Sequence, residues 1–285
     1  MFSIATKHFV VVIFLLSLSQ GLAQTTLQYN VQPKQKFGYS MTSLIDQQMT
    51  QMGQEMKINM NLATDLNLEI TNVTKNITLQ MQYINPKIEM KGMEAMGVAD
   101  TTIDANSQLN FKQEYVFTKN GTMVSHKLIE EKQEELDQQA KMMKQQLTSQ
   151  LKQSTDFLIY KYPTKSVKVG DTWNTSDTVD VNGLKTVRNF IHTYTSTKKL
   201  NGVDVAEITT KSTNISINGT INQMGMEMEV RGGMNVNAVA TVDIKSGMVI
   251  TMDMKNNSDF TMSMTTPMEM TIPITLNIVT SLNKK

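Results

Sequence analysis

The chain has 285 residues, 24 methionines, no cysteine and a formal net charge of +1. Without cysteine there is no disulfide and no acylated N-terminal Cys, so stability must come from apolar burial alone. A neutral chain whose only arginines are Arg188 and Arg231 lacks the basic footprint of a nucleic-acid binder, and no lysine block marks a polybasic membrane patch.

The first residues read as an export signal. Lys7 and His8 precede an apolar run from Phe9 to Leu16, and a polar stretch then closes on Gly21-Leu22-Ala23, with small residues where a signal peptidase reads. The run is too short for a permanent membrane span. The expectation is a signal peptide over 1–23 and a secreted or periplasmic protein beginning near Gln24, with 26 basic residues balancing 26 acidic ones. Residues 24–285 suit a single β-rich domain, divided into a first β half (24–128), a helix (129–153) and a second β half (154–285). Asn-X-Ser/Thr triplets at Asn72, Asn76, Asn120, Asn174, Asn214, Asn218 and Asn256 would accept glycans in a eukaryotic secretory pathway. In a chain this rich in Asn, Thr and Ser they also arise by chance.

From Met56 to Ile70 the even positions are almost all apolar, including Met56, Ile58, Met60, Leu62, Leu66, Leu68 and Ile70, against Lys57, Asn59, Asn61, Asp65, Asn67 and Glu69. That period of two predicts a strand with one oily face. After the turn-like stretch 72–76 the phase changes, and Ile77, Leu79, Met81 and Tyr83 predict a returning strand. Asn120-Gly121 predicts a two-residue hairpin between 111–118 and 122–127. Leu136, Ala140, Met143, Leu147 and Leu151 recur every three or four residues in a Glu, Gln and Lys matrix, which predicts an amphipathic helix with a narrow apolar stripe. Acidic Glu130, Glu131, Glu134 and Glu135 at its start, and Lys141, Lys144 and Lys152 later, match the helix dipole.

In the last third, Met224, Met226, Met228 and Val230 predict one strand. Gly232-Gly233 predicts a hairpin turn, and Met234 to Ile244 the next strand. Lys245-Ser246-Gly247 predicts a turn into Met248, Ile250, Met252 and Met254. The phase running from Phe260 through Met262, Met264, Met268 and Met270 to Ile278 is too long for one ordinary strand. A break is expected near Pro267, and Pro273 suggests an edge strand, since proline cannot donate to a ladder. The octapeptide Gln51 to Ile58 also aligns with Gln223 to Val230, which suggests two related β-meanders or a shared bias in composition.

Tyr160-Lys161-Tyr162-Pro163 and Val167-Lys168-Val169-Gly170-Asp171-Thr172-Trp173 follow the expected helix. This Val-Lys-Val-Gly-Asp-x-Trp turn in a signal-bearing, strand-rich chain is similar to an uncharacterised family of secreted bacterial proteins. The plan of a curved antiparallel sheet or open barrel, with one long amphipathic helix across the concave face, resembles the LolA/LppX-like lipoprotein-carrier half-barrels. That resemblance is one of architecture and carries no residue over; the wide one-sided oily sheet, which one narrow helix does not fully cover, suggests an apolar ligand. Gly170, Asp171 and Trp173 themselves read as a structural turn with an aromatic anchor.

Nothing in the sequence points to an enzyme or a cofactor. His126 and His192 have no partner at metal-ligand spacing, and there is no Gly-x-Ser-x-Gly elbow or phosphate loop. Thioethers are soft enough for Cu(I), but Ile, Leu and Val share the methionine phase and ligate nothing. The methionines therefore read as hydrophobes, either filling a core or lining a groove that adapts to varied apolar ligands. The candidate ligand-binding residues are Met56, Met60, Met143, Met226, Met228, Met252, Met254, Met262 and Met264. The favoured function is an exported, non-enzymatic protein holding a lipid-like ligand. The alternative is a structural or interaction protein of the cell envelope with a self-filled β core.

Overall fold

Long alternating runs with few interruptions build long strands. The computed structural model describes residues 24–51, 53–92, 99–106, 111–130, 158–181, 184–223, 226–264 and 269–285. Its strands are β1 (Lys36–Gln51), β2 (Gln54–Val73), β3 (Asn76–Lys91), β4 (Thr101–Asp104), β5 (Phe111–Thr118) and β6 (Met123–Glu130), followed by β7 (Thr172–Val181), β8 (Leu184–Leu200), β9 (Val203–Gln223), β10 (Met226–Asp243), β11 (Val249–Met264) and β12 (Met270–Lys284). At 20 residues, β2 alone extends about 65 Å at the usual rise per residue.

All of them form one 12-stranded antiparallel sheet in the order β6-β5-β3-β2-β1-β12-β11-β10-β9-β8-β7, with β4 beside β3. Two meanders therefore meet at the β1–β12 ladder, where Ile45 lies opposite Ile278. The sheet is open, and β6 and β7 are its edges. Antiparallel pairing puts alternate connections at opposite ends. The near end carries the turns at 74–75, 119–122, 201–202 and 244–248. At the far end lie the strand ends Gln51 and Gln54, Lys91, Val181 and Leu184, Gln223 and Met226, and Met264 and Met270.

Several sequence expectations need correction. Gly232-Gly233 is no turn: β10 runs straight through it, with Gly232 between Ile217 and Phe260. Glycine is required there because a Cβ on Gly232 would collide with Phe260 Cβ and the Asp259 carbonyl, and the β9–β10 register shifts between Gly233 and Asn237. The hairpin lies one connection earlier, where Gln223 pairs with Met226. Gln51 pairs with Gln54 in the same way, so the two matching octapeptides both occupy far-end hairpins. The break near Pro267 is a reversal of direction between β11 and β12 rather than a bend. Pro273 is not on an edge strand, because β12 lies between β1 and β11. It is tolerated because the β1 ladder ends at Met49 opposite Ile274, one residue short of the proline. The expected helix falls on residues outside those described, except that Ile129 and Glu130 belong to β6.

Two irregular segments close the near end. Thr25 and Val167 exchange backbone bonds of 2.7 and 2.9 Å. Tyr29 N–H donates to the Lys119 carbonyl, Tyr162 N–H to that of Asn120, and Asn30 N–H to that of Ser246. Their side chains enter the core, where Tyr29, Tyr39, Tyr115, Phe117 and Tyr194 are the largest fully buried groups. Each fully buried aromatic contributes about 2–3 kcal/mol, so this core is a large source of stability among the described residues. Gly121 and Gly247, both at positive φ, let turns press against these segments: a Cβ would meet the Tyr160 carbonyl at one and the Gln28 carbonyl at the other.

Candidate binding face

One face of the sheet carries the apolar phase, and its chemistry changes along the strands. The near end is aromatic and aliphatic, sealed by the two segments. A polar belt follows. Ser43 faces Thr280, then Met254, Ala238, Thr210, His192 and Trp173 continue the same row across β12 to β7. Ser43 and Thr280 hydroxyls bond at 2.9 Å. One and two rows further out, Asn256 and Ser258 are also buried, with the Ser258 hydroxyl donating to Asn256 Oδ1 at 3.0 Å.

Beyond the belt the face is lined by methionine. Met49 lies opposite Met56, and Met264 opposite Met270. Among the described methionines, Met49, Met56, Met90, Met226, Met228, Met262, Met264 and Met270 all stand within three residues of the far end of a strand. Burial falls in the same direction. Leu62 to Ile70 alternate as buried positions on β2, whereas Met56, Ile58 and Met60 are only half-buried.

The candidate methionines thus occupy different places. Met56, Met60 and Met262 are half-buried on the far half of the face. Met228 and Met264 lie there too, at 8% and 7% exposure. Met254 and Ala238, in the row of the belt itself, pack with Phe190, Ile215 and Val236 in a smaller cluster. Met252 is 1% exposed inside the near-end core. Met226 opens β10 opposite Gln223, and Met143 lies outside the described residues.

The Gly170 turn is tight. Gly170 has φ +94°, Asp171 N–H donates to the Lys168 carbonyl, and the Asp171 carboxylate accepts the Lys168 N–H at 2.9 Å. Backbone bonds of Gly170 and Asp171 to Tyr194 then deliver the chain into β7. Trp173 donates its indole N–H to the Lys161 carbonyl at 2.9 Å and stacks on His192 with ring centroids 5.3 Å apart.

His192 is buried and fully engaged. Its Nδ1 lies 2.8 Å from Thr210 Oγ1 and 3.2 Å from Tyr160 Oη, and its Nε2 lies 2.9 Å from Thr175 Oγ1. Burial, aided by the charge of Lys161, pushes its pKa down to about 4, so the ring is neutral. Next to it, Asp177 takes two bonds from Arg188, at 2.8 and 2.9 Å, and one from Lys161 at 2.7 Å. Burial alone would raise this carboxyl, but the two cations hold it below its ordinary value. Burial pushes the phenols of Tyr29, Tyr39, Tyr160 and Tyr162 well up, and they remain hydrogen-bond donors. Among the described residues no three His, Asp or Glu side chains are grouped as metal ligands, and no helix is long and apolar enough to cross a membrane.

Sequence reasoning missed the belt and the tyrosine core. Asn256 and Ser258 stand in the same even phase as Met252, Met254 and Phe260, so phase, not polarity, was the signal that could have found them.

Residues 119–249, a stretch containing this turn and most of the second meander, match the model of a family of unknown function, DUF6263. No curated protein matches the chain in sequence. Among solved structures, one titled "Lipid-protein interactions in lipovitellin" superposes with a TM-score of 0.50 at 10% identity, covering 90% of this chain and 25% of that one. This chain therefore spans about a quarter of the length of that protein, and the likeness is one of fold.

Proposed function

We propose that the protein is an exported, non-enzymatic carrier that holds a lipid-like ligand against the far half of its inner face. The observation that carries this reading is the gradient along the face, from a sealed aromatic end to a half-buried methionine end at Met56, Met60 and Met262. Flexible thioether side chains adapt to apolar ligands of varied shape, whereas the buried aromatic core of the near end is close-packed. The fold shared with lipovitellin, whose structure title concerns lipid interactions, is compatible with such a ligand. The test is gentle purification, native mass spectrometry and organic extraction. The expected result is a co-purifying acyl-chain species lost on delipidation, and a protein that is always empty and takes up no apolar probe refutes the reading.

A second reading has its own support. Met228, Met254 and Met264 are all buried, as a self-filled envelope or matrix protein would require. Brief peroxide treatment separates the two. A groove lining oxidises at Met56, Met60 and Met262 well before Met41 and Met252, whereas a closed core resists at all five.

A further inference from the structure

At the near end the turn of the β5–β6 hairpin and the start of β7, from opposite ends of the strand order, flank a cleft of about 480 Å³. The β5–β6 turn supplies Asn120 and Thr122 on one side, the segment 161–165 crosses between, and the first residues of β7 form the other wall. Since that turn belongs to one end of the strand order and β7 to the other, the sheet curls enough at the near end to bring the turn and the start of β7 to one cleft.

The cleft is mixed in character, with Tyr162, Pro163, Val167 and Trp173 beside its polar groups, and among the described residues no carboxylate lines it. Its charged groups are Lys161 and Lys165. Lys161 is committed to Asp177, whereas Lys165 is exposed and enters no ion pair among the described residues. Thr164 also lines it, as do Thr172, Asn174 and Ser176, which alternate with Trp173 along β7 and so stand on the outer side of that strand; these four side chains bond to nothing else among the described residues. The terminal strand β7 pairs only with β8 in the described ladder, so its other edge presents backbone N–H and C=O groups alternately. Trp173 contributes an aromatic surface held in place by its indole hydrogen bond.

We propose that this cleft binds a small hydroxyl-bearing anion, an acidic sugar in chemical class. The anionic group, carboxylate or phosphate, pairs with Lys165. The hydroxyls, which both donate and accept, match the β7 edge and the free amide and hydroxyl side chains. The volume accommodates one or two sugar rings, toward the small end of ordinary ligand pockets. This site lies at the opposite end of the sheet from the apolar half and stands whether or not a lipid binds there.

Trp173 is the single tryptophan of the chain, so its fluorescence reports on the cleft directly. The full mature protein is titrated with galacturonate and with glucose 6-phosphate, and in parallel with galactose and with inorganic phosphate. The expected result is a saturable change with at least one acidic sugar, weaker by about tenfold for galactose and for phosphate alone, as loss of one charge-assisted hydrogen bond implies. Lys165→Gln should weaken it by a similar factor while leaving thermal unfolding unchanged. Which arm responds tells carboxylate from phosphate. The proposal is overturned if neither acidic sugar saturates the signal, if inorganic phosphate binds as tightly as the sugar, or if Lys165→Gln binds as well as the parent.

Discussion

Acidification should destabilise this protein through His192 in a definable window. Its folded pKa is lowered to about 4 from an ordinary 6.5, because burial disfavours the charged ring and Lys161 repels it. In the unfolded chain the ring gains a proton as pH falls through 6.5, while the native protein refuses it until pH 4. The stabilisation is therefore complete above pH 6.5 and is lost as pH falls from there toward 4. A depression of this size corresponds to about 3 kcal/mol, which for a domain of this length is about 6–12 °C in Tm. The comparison is urea unfolding of the parent and of His192→Gln at intervals from pH 8 to pH 4. Gln keeps some of the bonds to Thr210, Tyr160 and Thr175 but has no titrating proton. The parent's advantage over the variant should shrink by about 3 kcal/mol across the window, with most of the loss between pH 6 and 4.5. Parallel curves for the two proteins, or a His192 ring that titrates near 6.5 by NMR in the native state, would refute the reasoning.

Glycine positions give a second set of outcomes, all read by thermal unfolding. Gly121→Ala should cost more than about 2 kcal/mol, since the new Cβ strikes the Tyr160 carbonyl at positive φ, whereas Gly53→Asn, at φ +77° with nothing within 4 Å, should stay within about 1 kcal/mol. Gly232→Val should destabilise strongly by forcing Phe260 and β11 away, while Gly233→Ala, whose Cβ would find only the Ile215 carbonyl at 3.4 Å, should cost far less. Asp171→Ala removes the acceptor of the Lys168 N–H and should cost about 1 kcal/mol without altering the far-end peroxide sensitivity of Met56 and Met262.

The strands and the oily phase were legible because alternation is local, and the hairpins at Asn120-Gly121 and at 245–247 because turn chemistry is local too. What could not be read was long-range. Gly232-Gly233 has the composition of a turn, and only the passage of Phe260 over the strand explains why two glycines sit inside β10. Pro273 looks like an edge residue until the β1 ladder is known to stop beside it. The methionine phase was taken as uniform, yet Met252 belongs to a tyrosine core and Met262 to a half-covered surface, a difference set by the segments at 24–35 and 158–171 that cross the near end. Those segments have no periodicity. Their importance lies in bonds such as Tyr29 to Lys119 and Tyr162 to Gly247, which connect residues far apart in the chain. The meeting of the β5–β6 turn and β7 at the cleft follows from sheet order and curl, which single-strand patterns do not encode.

The β1–β12 ladder has a consequence for how the molecule is made. Ser43 and Thr280 meet across 237 positions, so the strand that joins the two meanders is synthesised long after its partner. Until it arrives, β1 offers a naked backbone edge and an oily face, and the second meander offers the same along β11. Such late, non-local closure is slow and aggregation-prone. A chain of this topology should need shielding while it is being produced, and its folding rate should depend on the β12 sequence far more than on any near-end turn.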